Sequence, residues 1–108
     1  MAPYHFYRGT PPSKPLGNLL RLERDVITGK KDLEAAFGTI TTLELDLLTI
    51  AAAIFAVDRG EKRGEREDFA RVLELQIPVV NIGRLQPLMS IVEQTLRLLS
   101  NDTWDVAL

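Results

Sequence analysis

Cysteine is absent from the 108 residues, so neither disulfides nor thiolate metal ligands are available to the chain. Histidine occurs once, at His5, and no carboxylates gather around it at ligand spacing, so no metal centre is expected. Ser13, Ser90 and Ser100 have no base other than His5 and none lies on a glycine-rich elbow, which leaves nucleophilic catalysis without its parts. Neither G-x-x-x-x-G-K-S/T nor G-x-G-x-x-G occurs, so a phosphate loop is missing as well. Positive charge is not in excess: the formal net charge of -2 argues against a nucleic-acid surface, which wants a basic field. "YHFYRG" sets Tyr4, Phe6 and Tyr7 beside Arg8, but the charge balance opposes its use as a stacking platform. The N-terminus shows no basic stretch followed by an apolar region, so no signal peptide is expected and the cytoplasm is the default location.

What is present is an ordinary globular composition, 45% hydrophobic and 26% charged, enough for one domain over residues 1–108 with a single core. Tyr4 to Tyr7 has β character. "GTPPSKPLG" (9–17) reads as a proline-rich surface loop. A strand is expected from Leu19 to Ile27, with Leu20, Leu22 and Val26 at even spacing, and a short helix over Lys30 to Phe37 closed by Gly38. "FARVLELQIPV" is the clearest strand: Leu73, Leu75 and Ile77 should face the helices and Glu74 and Gln76 the other side. Asn81 and Gly83 then suggest a turn. A second long helix follows from Leu85 to Ser100, with Pro87 tolerated in its first turn and an apolar stripe of Leu85, Leu88, Met89, Val92, Leu96 and Leu99. "TWDVAL" supplies a last strand. The expected class is α+β: a small mixed or antiparallel sheet, its members expected near Leu22, Leu73 and Val106, covered mainly on one face by two long helices.

The first long helix, Thr42 to Asp58, holds most of the functional interest. Thr41 and Glu44 form a T-x-x-E capping box, and Ile40 with Leu45 fits the hydrophobic staple. Glu44 and Asp46 interrupt its first turns, so its apolar part falls short of the ~20 residues of a membrane span. The same two carboxylates diverge by about 200° and share no proton. At about 100° per residue, Leu43, Leu47, Ile50, Ile54 and Val57 fall on one face and Leu45, Leu48, Ala52 and Phe55 on a nearly opposite one. Thr42, Asp46, Thr49 and Ala53 form a narrow polar strip between them. Two apolar faces imply a sandwiched helix, its second layer being either the Lys30 helix with the N-terminal segment, or another domain or chain. Beyond it, the mixed-sign run at 59–68 reads as a solvated charged loop.

Three stretches, "LELDLLTIAAAIFAVDRG" (Leu43 to Gly60), "RVLELQIPVV" (Arg71 to Val80) and "LRLLSNDTWDVAL" (Leu96 to Leu108), together resemble the N-terminal domain of 7-cyano-7-deazaguanine synthase-like (QueC-like) proteins of bacterial anti-phage defence clusters. The matching residues are Asp46 to Leu48, Asp58 and Arg59, Arg71, Leu73 to Val79 and Leu99 to Trp104. Ser100 and Asn101 depart from the family's usual Thr-Gly, and no tryptophan precedes Arg71. The resemblance implies an ATP-pyrophosphatase catalytic part with a phosphate loop and, in true synthases, a cysteine-bound zinc; none of those residues occurs here. It therefore implies a non-catalytic accessory module without a cofactor, cut from a longer protein or encoded beside its catalytic half. The catalytic domain or subunit would dock on Leu45, Leu48, Ala52 and Phe55 or on the edge of the "TWDVAL" strand. Asp58 and Arg59 would be a structural pair tying the helix end to Arg71 or Asp102. The alternative is a free-standing interaction or regulatory protein, homodimeric and without nucleotide chemistry. A third reading, an enzyme, would need Asp46, Asp58 and Asp102 in one pocket.

Overall fold

A computed structural model describes residues 3–13, 17–61 and 71–108. The parts of the proline-rich loop at 14–16, of the charged loop at 62–68 and of the expected strand at 69–70 lie outside the described residues. Along the chain come β1 (Tyr4–Tyr7), β2 (Asn18–Arg21), α1 (Lys30–Phe37), α2 (Thr42–Gly60), β3 (Val72–Gln76), α3 (Ile82–Leu85), a 3-10 turn (Gln86–Leu88), α4 (Met89–Ser100) and β4 (Thr103–Ala107). Among the described residues the strands form one sheet in the order β2-β1-β3-β4, and every pairing is parallel. The mixed or antiparallel sheet expected above is thus corrected. Helices join β2 to β3 and β3 to β4, and such crossovers return the chain to the end of the sheet from which it started.

Alternation along β3 does what its sequence implies. Leu73 sits opposite Trp104 and Leu75 opposite Val106 and Tyr4, so these side chains share one face with the buried Phe6. Glu74, Gln76, Thr103 and Asp105 lie exposed on the other face. α2 packs on β3 and α4 on β4. A groove between the two helices, lined by Ala51, Ile54, Leu96 and Trp104, puts both on the apolar side of the sheet. Phe6, Ile50, Val57, Leu73, Ile77 and Trp104 are at the centre of the core.

Three local expectations change. The strand over Leu19 to Ile27 stops at Arg21, because Glu23 takes a positive φ of 66° and the chain turns, with only an isolated bridge between Leu22 and Val26. Gly83 lies inside α3 rather than in a turn, and the long helix expected from Leu85 is broken by the 3-10 turn that carries Pro87. The third change concerns the rotation of α2. Asp46, Thr49, Ile50, Ala53 and Val57 are its buried residues, so the strip read as polar contributes the centre of the core-facing side, while Leu47 is 52% exposed. The capping box of Thr41 and Glu44 is formed, with both reciprocal hydrogen bonds present. Gly17 is needed at its position: φ is +72°, and an added Cβ would lie 2.1 Å from the Pro3 carbonyl oxygen.

Candidate functional site

Two polar clusters occupy opposite ends of α2. At its C-terminal end the Arg71 guanidinium uses all of its donors. Nε and Nη2 donate to Asp102 Oδ2 at 3.2 and 2.7 Å, Nη2 to Asp58 Oδ1 at 2.6 Å, and Nη1 to the carbonyls of Asp58 and Glu61 at 3.1 and 2.6 Å. The Arg71 amide also donates to Asp102 Oδ1 at 2.8 Å. A cation capping the last carbonyls of a helix satisfies groups that have no partner within the helix. The hydrogen bonds to Asp102, opposed by burial and reinforced by Asp58, raise the Arg71 pKa further. The Tyr4 hydroxyl donates to Glu61, and burial together with that carboxylate pushes its pKa up to about 12.

At the other end, Asp46 is buried near the exits of β1 and β3. Its Oδ1 accepts from the Val80 amide at 2.9 Å, and Oδ2 from the Asn81 amide at 2.8 Å and Asn81 Nδ2 at 2.7 Å. Burial works to raise its pKa, but these three donors outweigh it and hold the carboxyl below the usual range. Thr49 Oγ1 accepts from Arg8 Nη2 at 2.7 Å and donates to the Leu45 carbonyl at 2.7 Å. Asp46 thus stands apart from Asp58 and Asp102, which share Arg71, and the three carboxylates form no common pocket. Among the described residues no buried side-chain nitrogen or oxygen lacks a hydrogen-bond partner, and no group of three His, Asp or Glu could hold a metal ion.

Both outer strands have side chains on their outward amides. Val106 N–H donates to Glu93 Oε2 at 2.9 Å and Leu108 N–H to Gln86 Oε1 at 3.0 Å, along the free side of β4. On β2, Arg21 N–H donates to Asp25 Oδ2 at 2.7 Å. Edges closed in this way are poor templates for an added strand, so the "TWDVAL" edge is a weak docking place.

The outer side of the helical layer is different. Of the expected docking residues, Phe55 is 61% exposed, while Leu45, Leu48 and Ala52 are half-buried. Arg59 does not join Asp58 on Arg71; its guanidinium carbon lies 5.4 Å from the centre of the Phe55 ring, in cation–π contact. Beside the N-terminal half of α2 runs an apolar groove of about 370 Å³ lined by Leu33, Phe37, Ile40, Glu44, Leu47 and Leu48. α4 exposes Ile91 and Leu98 at helical spacing, Leu98 by 87%, and Leu88 and Leu99, expected on the core-facing stripe, are exposed as well. Ile91 and Leu98, seven positions apart, were the signal for this outward face.

The chain is therefore of the mixed α/β class, with a parallel sheet, hydrogen-bonded polar clusters and an uncovered apolar helical layer. Comparison with models of known families, with curated proteins and with solved structures yields no match. Among the described residues no helix is long and apolar enough to cross a membrane.

Proposed function

We propose that this chain is a non-catalytic interaction domain that works by seating protein on the outer layer of α2 and α4. The observation that carries the reading is the apolar surface itself: Phe37, Phe55, Ile91, Leu98 and Leu99 all stand mostly in solvent on the helices of one side. Burying such a side chain is worth about 1.5–3 kcal/mol. The donors of the Arg71 guanidinium are all engaged and both oxygens of Asp46 accept hydrogen bonds, which supports the non-catalytic part.

The resemblance in Leu43 to Gly60, Arg71 to Val80 and Leu96 to Leu108 supports a finer reading. In it the chain is the accessory N-terminal domain of a QueC-like, ATP-dependent deazaguanine synthase-like defence protein, located in the cytoplasm, and its partner is the ATP-pyrophosphatase catalytic domain or subunit. Calorimetric titration of the domain with such a catalytic half tests this. Micromolar or tighter binding is expected, weakened by Leu98→Asp with the circular dichroism unchanged. Absence of heat at any attainable concentration overturns the catalytic partner. The alternative of a self-associating protein is favoured by one observation, the distribution of charge along α2.

A further inference from the structure

We infer that the outer seam of α2 closes on a second copy of the chain, the two helices antiparallel about a two-fold axis. This rests on the reading of α2 as a contact surface and names its occupant; the α4 stripe is left for the other partner.

The exposed or half-buried residues Glu44, Leu48, Ala51, Ala52, Phe55 and Arg59 lie along one side of α2. At about 100° per residue, Glu44, Leu48, Ala51, Phe55 and Arg59 stay within roughly 40° of a common direction, away from the buried Asp46, Ala53 and Val57. Their spacing is symmetric about the Ala51–Ala52 midpoint. An antiparallel copy centred there sets Glu44 against the partner's Arg59, Leu48 against the partner's Phe55, and Ala51 against the partner's Ala52. Acid meets base twice, large apolar meets large apolar twice, and the smallest side chains fall where the helix axes cross. A parallel copy would instead set Glu44 on Glu44 and Arg59 on Arg59, so charge chooses the orientation. Opposed helix dipoles favour the same choice.

Shape agrees. The partner's Phe55 arrives at Leu48, on the rim of the groove lined by Leu33, Phe37, Ile40 and Leu47, and the symmetric copy receives Phe55 in the same way. Phe37, 82% exposed, would be covered by it. Phe37, Phe55 and Leu47, 82%, 61% and 52% exposed, supply the large apolar area at the centre of this contact. An isologous contact of this kind also ends at two copies.

The chain has no cysteine, so Ala51→Cys places a single thiol beside the axis. Sedimentation of the unaltered chain should give a dimer that dissociates on dilution. Mild oxidation should cross-link A51C much faster than Gln76→Cys, a control on the exposed sheet face. Arg59→Glu should weaken association by roughly tenfold or more through two repulsive contacts with Glu44. Phe55→Glu should give a monomer with unchanged circular dichroism. A chain that stays monomeric at every concentration, or equal cross-linking of A51C and Q76C, overturns the inference. A monomer that still binds the catalytic half removes the dimer and keeps the wider function; a dimer indifferent to that half does the reverse.

Discussion

Arg71 ties three elements together, because its side chain joins the end of α2 to the starts of β3 and β4. Replacing it by Met leaves the buried Asp102 without its cation, and the loss of one partner of a buried pair costs about 3–5 kcal/mol. Urea unfolding of Arg71→Met should show a fall of that order, and Arg71→Lys should recover only part of it, since an ammonium does not reproduce the fork. Two titrating residues give pH predictions of opposite sense. Asp46 has a folded pKa below its unfolded value, so its contribution is present above the ordinary carboxylate range and is lost as pH falls through the folded pKa. Asp46→Asn should therefore flatten the acid limb of the stability curve. Tyr4 has a folded pKa raised from 10.0 to about 12, so its contribution is complete below pH 10 and disappears as pH rises from 10 to about 12. Tyr4→Phe should remove that alkaline loss, measured by the denaturation midpoint across pH. Asp46 is also where the sequence misled: a carboxylate on a helix wheel is normally counted as solvent-facing, and its partners Val80 and Asn81 are far along the chain. Arg71, by contrast, alternated in register with Leu73 and Leu75, and its pairing with Asp102 was open to inference.

Among the elements, those with strong local signals were legible. The capping box started α2 where Thr41 and Glu44 put it, Gly38 closed α1 by donating its N–H to the Glu34 carbonyl, and period-two alternation set the faces of β3. Thr41→Ala should destabilise the fold by about 1 kcal/mol in thermal unfolding, with the loss concentrated at the start of α2 in hydrogen exchange. β2 was over-read because Glu23 adopts a left-handed conformation without the glycine that usually announces one. The core-facing side of α2 lies roughly a sixth of a turn from the apolar face of its helical wheel, because two polar residues, Asp46 and Thr49, are buried at its centre. On α4 the outward Ile91 and Leu98 are hard to read for the converse reason, that Glu93, Gln94 and Arg97 around them are polar, while Leu88 and Leu99, expected to face the core, are exposed.

For the whole molecule, the sheet order could not be had from periodicity, which fixes the faces of a strand and not its neighbours. Parallel pairing of β3 with β4 follows once a helix connects them, and the polar outer face of these two strands shows that the sheet is covered on one side only within the described residues. Such a sheet needs its margins guarded, and Glu93, Gln86 and Asp25 do that with three hydrogen bonds to outward amides. Glu93→Ala with Gln86→Ala should uncover the β4 margin and increase aggregation on heating, measured by light scattering, with little change in helix content. Unaltered scattering would mean that the β4 margin is guarded by something else.

The bond from Arg71 to the Asp58 and Glu61 carbonyls has a consequence for how this chain opens. It holds Glu61, at the end of α2, beside Arg71, at the start of β3, so one guanidinium couples the fraying of a helix to the fraying of a strand. Opening of the last turn of α2 and of the first residues of β3 is then a single event rather than two.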